Sequence, residues 1–359
     1  MDIFPTTPYL LTPGPVPIPA FVRKAMEKPV MPHRSEEFEA FYEPLLTKLR
    51  YLFQTKTGNV TTMAASGTGG VEAAMHSFFQ SGEKIAVVSN GKFSKRWSDY
   101  GALLHCDVKT LTIDWGQAPD TEQVVSIAKD CKGIVLTHCE TSTGVCIDLE
   151  EIALALREAY PEIIIIVDAI TTVGAVPFYF DTWSIDCAIV ASQKALMGPA
   201  GICAFALSEH GMKQLTSFHK SDYAHLGNHI EAARKNSYPY TPPLLQLYAL
   251  EAVLAHIQHQ GLPTIWNRTR RASRHFRKVL KAHKGEVFCT SASDSLSVFL
   301  FRGQEHAYLK AQWEAAGFII AGGQEHLAGK VLRISHMGIA ANTEMIDSFW
   351  ENSPISLNK

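Results

Sequence analysis

The sequence carries almost no net charge: its formal balance is −2 over 359 residues, with no long run of one sign. A nucleic acid or an anionic membrane surface needs a sustained basic patch, so the expected partners are small molecules. Long apolar runs are missing as well. The greasiest stretch, IIIIVDAI at 163–170, is far shorter than the roughly 20 residues that cross a bilayer, and it contains Asp168. The opening MDIFPTTPYLLTPGPVPIPA has neither the basic start nor the uninterrupted apolar stretch of a secretory signal; a cytoplasmic protein is expected. Cysteine is sparse and unpatterned. Its seven residues, an odd number without a C-x-x-C pair, argue against both a disulfide framework and a zinc site. The 15 histidines include no H-E-x-x-H, so no metal is expected. Low-complexity linkers and internal repeats are absent too, and nothing in the composition cuts the chain into independent halves.

What is present suits a soluble globular protein. Hydrophobic residues make up 46% and charged residues 19%, enough apolar side chain for a large core. The length calls for one large domain with a smaller companion: an N-terminal arm over 1–19, a large domain over 20–260 and a small C-terminal domain over 261–359, which the arm joins. Short β-type runs alternate with helical patterns. IAVVSN (85–90) precedes KRWSDYGALL, GIVLTH (133–138) precedes LEEIALALREAY, and IIIIVDAI is followed by CAIVAS (187–192) and ICAFALS (202–208). Continuous Val, Ile and Ala runs, rather than strict alternation, are what a parallel or mixed sheet covered on both faces requires. The expected fold class is therefore an α/β sandwich with crossover helices. After 243 come two helical stretches, PLLQLYALEAVLAHIQ and PTIWNRTRRASRHFRKVLKAHK. Beyond about 285 the pattern restarts with LSVFLF, HAYLKAQWEAAG, FIIAGG, VLRISHMG and a last helix near 343–352.

Ligands of such sheets sit outside the carboxyl ends of the strands, so polar residues just after strand-like runs are the candidates. MAASGTGGVEAAMHSFF (63–79) opens a helix with Ser66, Gly67 and Thr68, small residues whose free N–H groups and helix dipole suit an anion. It matches neither the dinucleotide G-x-G-x-x-G nor the phosphate loop G-K-[ST]. Asp168 ends the IIIIV run, where a carboxylate must be paired or hydrogen-bonded. Lys194 closes CAIVAS, and Arg333 stands inside VLRISHMG. Singly these have ordinary explanations: a capped helix, a salt bridge, a snorkelling lysine, an edge arginine.

Together, a phosphate cradle, an acid, a lysine and an arginine in this order are what pyridoxal phosphate needs. The chain resembles the class V, fold-type I pyridoxal phosphate aminotransferases of the alanine-glyoxylate and serine-glyoxylate kind. The resemblance runs through LLTPGP, SGTGGVEAA, SNGKFSKRW, THCETSTGV, VDAITTVGA, ASQKALMGPAG, YPYTPPLLQLYAL and VLRISHMG. It implies an α/β/α large domain with a mainly parallel, mixed sheet, and a smaller α+β domain. It also implies that Lys194 holds pyridoxal 5'-phosphate covalently and shuttles a proton, and that Asp168 pairs with the ring nitrogen. Ser66, Gly67, Thr68 and Gln193 match positions that hold the phosphate, Phe93 the aromatic stacked on the ring, and Thr141 the hydroxyl on the ring oxygen. Tyr238 and Thr241 match residues that reach the neighbouring subunit's phosphate, implying a homodimer with shared sites. Arg333 matches the clamp for the substrate carboxylate, whose planar fork suits bidentate binding.

Departures from the pattern bear on substrate. Thr68 and Phe93 stand where mammalian alanine-glyoxylate enzymes have histidine and tryptophan. Gln193 and Phe93 stand where cysteine desulfurases have histidines, which disfavours desulfuration, although Cys139 and Cys146 flank the loop that carries Thr141. An NAD-linked oxidoreductase is opposed by the missing fingerprint, and a silent scaffold by the intact Lys194, Asp168 and Arg333. His33 and Arg34, in MPHRSEEF, resemble the His-Arg pair with which phosphoserine aminotransferases grip the substrate phosphate. His326 resembles their second phosphate histidine, but Leu327 follows it where those enzymes have arginine, and Lys330 is the nearest cation. A dianion needs several converging donors. The sequence reading therefore favours exchange between phosphoserine and 2-oxoglutarate, with alanine or serine to glyoxylate as the alternative.

Overall fold

The computed structural model describes residues 8–355. Strands β1 (Asn59–Met63), β2 (Lys84–Ser89), β3 (Asp107–Thr112), β4 (Gly133–Thr137), β5 (Ile164–Asp168), β6 (Cys187–Ala191) and β7 (Cys203–Leu207) form one seven-stranded sheet in the order β3-β2-β4-β5-β6-β7-β1. From β3 to β6 every neighbouring pair is parallel, and β7 runs antiparallel to both β6 and β1. The expected mixed sheet is thus observed, and alternate residues explain its burial. Ile134, Leu136, Ile165, Val167, Ala188 and Val190 enter the core on one face, while Val135, Ile164, Ile166, Cys187 and Ile189 enter that on the other. Side chains in a strand alternate between faces, so a continuous apolar run is needed when both are covered.

Two of these strands are not legible as β-type runs. In β1, NVTTM, hydroxyls are buried through local satisfaction: the Tyr42 and Thr62 hydroxyls are 2.9 Å apart, and Thr61 donates to the His229 carbonyl at 3.1 Å. In β3, DVKTLT, an edge position leaves most residues partly exposed, so polar letters are tolerated there.

A second, four-stranded antiparallel sheet is built from Glu286–Val287, Leu296–Leu300, Leu332–Ser335 and Ala321–Gly322. The FIIAGG segment divides. Phe318–Ile319 pairs in parallel with Tyr9–Leu10 of the N-terminal arm, and only Ala321–Gly322 joins the sheet. The arm then runs between the two sheets: Ser335 N–H donates to the Leu11 carbonyl at 2.8 Å, and Val16 N–H to that of Gln193 at 3.0 Å. Among the described residues no helix is long and apolar enough to cross a membrane.

Candidate active site

The carboxyl ends of β1, β2, β4, β5 and β6 open on one side of the sheet. Ser66 caps the Gly67–Phe78 helix, its hydroxyl accepting from Gly69 N–H at 3.3 Å, while Gly70 N–H goes to the Ser66 carbonyl. The N–H groups of Gly67 and Thr68 have no protein acceptor among the described residues, and they lie at the positive end of the helix. A side chain at Gly67 would stand 2.7 Å from Ile170 Cδ1 and 3.3 Å from Ala191 Cβ, so glycine suits the close approach of this turn to the end of β6.

Asp168 ends β5, with a Cα register opposite Thr137 of β4 and Ile189 of β6. It is buried, and Oδ1 accepts from Ile170 N–H at 3.1 Å. Burial pushes its carboxyl up from 3.8 to about 7, helped by the charge of Glu140 and opposed by the Ile170 bond and by Lys194. Three residues beyond β6, Lys194 donates from Nζ to the Pro13 carbonyl at 2.7 Å. Its ammonium is lowered from 10.5 to about 8, first by burial and then by the charge of Arg333. That value leaves an appreciable unprotonated fraction near neutrality, as a proton carrier needs.

Ser66, Gly67, Thr68, Phe93, Thr141, Asp168, Gln193 and Lys194 all line one cavity of about 160 Å³. Gln193 presents a buried amide oxygen without a protein partner there. A neighbouring cavity of about 360 Å³ shares Phe93, Thr141 and Lys194 and adds Arg333, Gln324 and the arm residues 12–15. Arg333 is buried on the Leu332–Ser335 strand, donating from Nε to the Gly322 carbonyl at 2.8 Å and from Nη1 to that of Thr141 at 3.1 Å. Burial lowers its guanidinium to about 10, and it pairs with no carboxylate among the described residues. Nη2 and the rest of Nη1 are left for an anion.

Not every expected residue belongs to this group. Tyr238, expected to reach a neighbouring subunit, is buried in its own protomer, its hydroxyl enclosed without a partner and its ring edge-on to Tyr42 and His229. A ring that fills an aromatic core does not also project outward, so of the pair only Thr241 is exposed. His33 and Arg34 precede the Glu36–Phe53 helix and line neither cavity. His326 packs its ring 4.3 Å from that of Trp115, and Lys330 is exposed. The expected phosphate-binding cluster of His33, Arg34, His326 and Lys330 is therefore not assembled within one protomer.

Other residues of the site escaped the sequence reading. Trp97, whose indole N–H donates to Thr137 at 3.1 Å, walls the Asp168 side. Arg96 lies 5.0 Å from the Phe93 ring centroid and 3.4 Å from the Thr68 hydroxyl. Both follow Phe93 by one helical turn and so share its face, a signal that the spacing carries. The Pro13 carbonyl had no such signal.

An anion cradle at a helix start, a buried acid and a half-buried lysine thus line one cavity at the carboxyl ends of an α/β sheet. Residues 18–349 match the family model described as Aminotransferase class-V, and the chain belongs to that family and is a transaminase. It is 32% identical to the soluble hydrogenase 42 kDa subunit of Anabaena cylindrica, over 94% of this chain and 90% of the relative. It is 30% identical to the serine–glyoxylate aminotransferase of Methylorubrum extorquens, over 92% and 86% respectively. Its fold is that of the fold-type I aminotransferases: an aspartate aminotransferase from Thermus thermophilus superposes with a TM-score of 0.90 at 29% identity, covering 96% of this chain and 98% of that one.

Proposed function

We propose that the chain binds pyridoxal 5'-phosphate in the smaller cavity and moves the amino group of a small, unphosphorylated amino acid, serine or alanine, to glyoxylate. The residues fit the cofactor. The free N–H groups of Gly67 and Thr68, with the Ser66 hydroxyl and the NH2 of the Gln193 amide on the same cavity wall, suit its phosphate. Phe93 would cover the ring face, Thr141 meet the ring oxygen, and Asp168 meet the ring nitrogen. Bound cofactor supplies an electron sink for the substrate carbon. Lys194 anchors the cofactor and carries a proton to and from that carbon, and Arg333 holds the substrate carboxylate through a charge-assisted fork.

The observation that carries the substrate assignment is the charge of the larger cavity. Arg333 is the one cation besides Lys194 among its lining residues, enough for a single carboxylate. A phosphate dianion would need further donors, and the four expected for it lie outside. The serine–glyoxylate relative supports the same reading. In a half-reaction titration that follows the cofactor absorbance, serine or alanine is expected to convert the enzyme at concentrations at least about tenfold below those of phosphoserine, a difference of one ion contact. Conversion by phosphoserine at the lower concentration, abolished in Arg34→Ala, would instead assign the phosphate-binding role to His33 and Arg34 of a partner subunit.

We further infer a homodimer. Tyr223 donates to the Ala64 carbonyl, two residues before the cradle, at 3.2 Å, and its ring lies 4.8 Å from that of Tyr240, next to Thr241. Tyr223 is a large exposed hydrophobic, so an apolar side chain borders the phosphate end of the cavity, where a shared site would place a partner. Sedimentation equilibrium is expected to return twice the 39.6 kDa chain mass; a fully active monomer would overturn the inference.

A further inference from the structure

Glu140 was not among the residues singled out from the sequence, yet it is completely buried in the Cys139–Glu140 strand of a short hairpin. Its Oε2 accepts from Phe93 N–H at 3.0 Å, Ser94 N–H at 2.8 Å and the Ser94 hydroxyl at 2.9 Å. Its Oε1 accepts from Ser142 N–H at 3.0 Å and the Ser142 hydroxyl at 2.7 Å. Each oxygen thus faces both a backbone N–H and a hydroxyl, a donor set that suits an acceptor-only carboxylate. No cation pairs with it among the described residues. The Lys92–Leu103 helix has glycine, Gly91, at its N-cap and no side-chain cap of its own, so Glu140 takes the orphan N–H groups of its first turn from another segment. The approach is close: a Cβ on Gly91 would stand 2.3 Å from Glu140 Cγ.

The two ends of this carboxylate lead to the two halves of the site. Oε2 fixes the helix start that presents Phe93. Oε1 fixes Ser142 and so the turn at Thr141, whose carbonyl accepts from Arg333. The charge also reaches Asp168 and Arg333, raising the proton affinity of both.

We propose that Glu140 is a positioning residue that holds the ring-covering Phe93 and the carboxylate-binding Arg333 at a fixed separation, joining cofactor seat and substrate clamp into one unit. The inference rests on the transaminase reading of the site. Glu140→Gln keeps the shape, but whichever way its amide turns, the NH2 meets a backbone N–H. Cofactor affinity, from titration of the apo protein, and KM of the holoenzyme for the amino donor are both expected to worsen roughly 10- to 100-fold, the size of lost bonds to a charged group. A merely structural residue would lower the thermal midpoint and the folded fraction while leaving both constants of the folded protein unchanged, and that result would overturn the proposal. Ser94→Ala and Ser142→Ala serve if the glutamine variant does not fold. The first is expected to weaken the cofactor more than the donor and the second the reverse; no change in either, or equal changes in both, also overturns it. A wild-type protein that binds the cofactor but exchanges no amino group would sink the substrate reading alone, since the cofactor titration still tests Glu140.

Discussion

Lys194→Ala is expected to yield a folded protein to which borohydride fixes no cofactor and whose amino transfer is reduced at least about 10,000-fold, the upper range for loss of a positioned proton carrier. Lys194 is the one lysine lining either cavity of the site, so no neighbouring ammonium stands ready to replace it. The fold should survive because the packing of this turn is carried by the next residues: Ala195 and Leu196 are buried in two separate apolar clusters. The removed side chain frees only the Pro13 carbonyl, which faces a cavity where water can answer it. Mass analysis after reduction decides the matter. Cofactor still covalently attached to the variant would mean that another lysine is the anchor.

Asp168→Asn is expected to reduce turnover about 100- to 10,000-fold while the cofactor still binds. Breaking a buried ion pair by removing one partner costs about 3–5 kcal/mol, which at about 1.4 kcal/mol per decade gives that range. The backbone bond survives, since an asparagine oxygen can accept from Ile170 N–H as Oδ1 does now. A near-normal rate would show that something other than Asp168 keeps the ring nitrogen protonated. The apo protein provides a second readout. Its buried carboxyl keeps a proton up to about 7, against 3.8 in the unfolded chain. Between those values the folded state binds more protons, and stability falls as pH rises. Asparagine is neutral throughout. The thermal midpoints of the apo wild type and apo variant are therefore expected to converge toward pH 4 and to separate up to pH 7, with the variant the more stable. Parallel curves would show that the folded carboxyl titrates normally.

Much of this site was legible because its chemistry sits where local rules put it. IIIIVD and CAIVASQK read as strands from their own composition, and the residues just past them, Asp168 and Lys194, lie at carboxyl ends whatever the rest of the chain does. The cradle was readable for the same reason, since small residues ahead of a helical pattern define a helix start. Strand β1 was not, because its buried threonines look polar until their partners, Tyr42 and the His229 carbonyl, are in place.

The sequence by itself determined the fold class and the end of the sheet at which the candidate residues lie, both of which follow from periodicity and from groups a few positions apart. Only the tertiary structure decided which of the expected residues converge. Tyr238 turned inward because an aromatic core formed around it, while His33, Arg34, His326 and Lys330 were left outside the substrate cavity. Glu140 and Phe93 are separated by 47 positions and Thr141 and Arg333 by 192, distances at which no local pattern specifies a contact. These pairs meet because β2 and β4 are neighbours in the sheet although β3 lies between them in the chain, and because the second sheet folds back over the first with the N-terminal arm between them. Such contacts come from strand order and from the mutual burial of apolar faces, properties of the whole packed chain rather than of any segment within it.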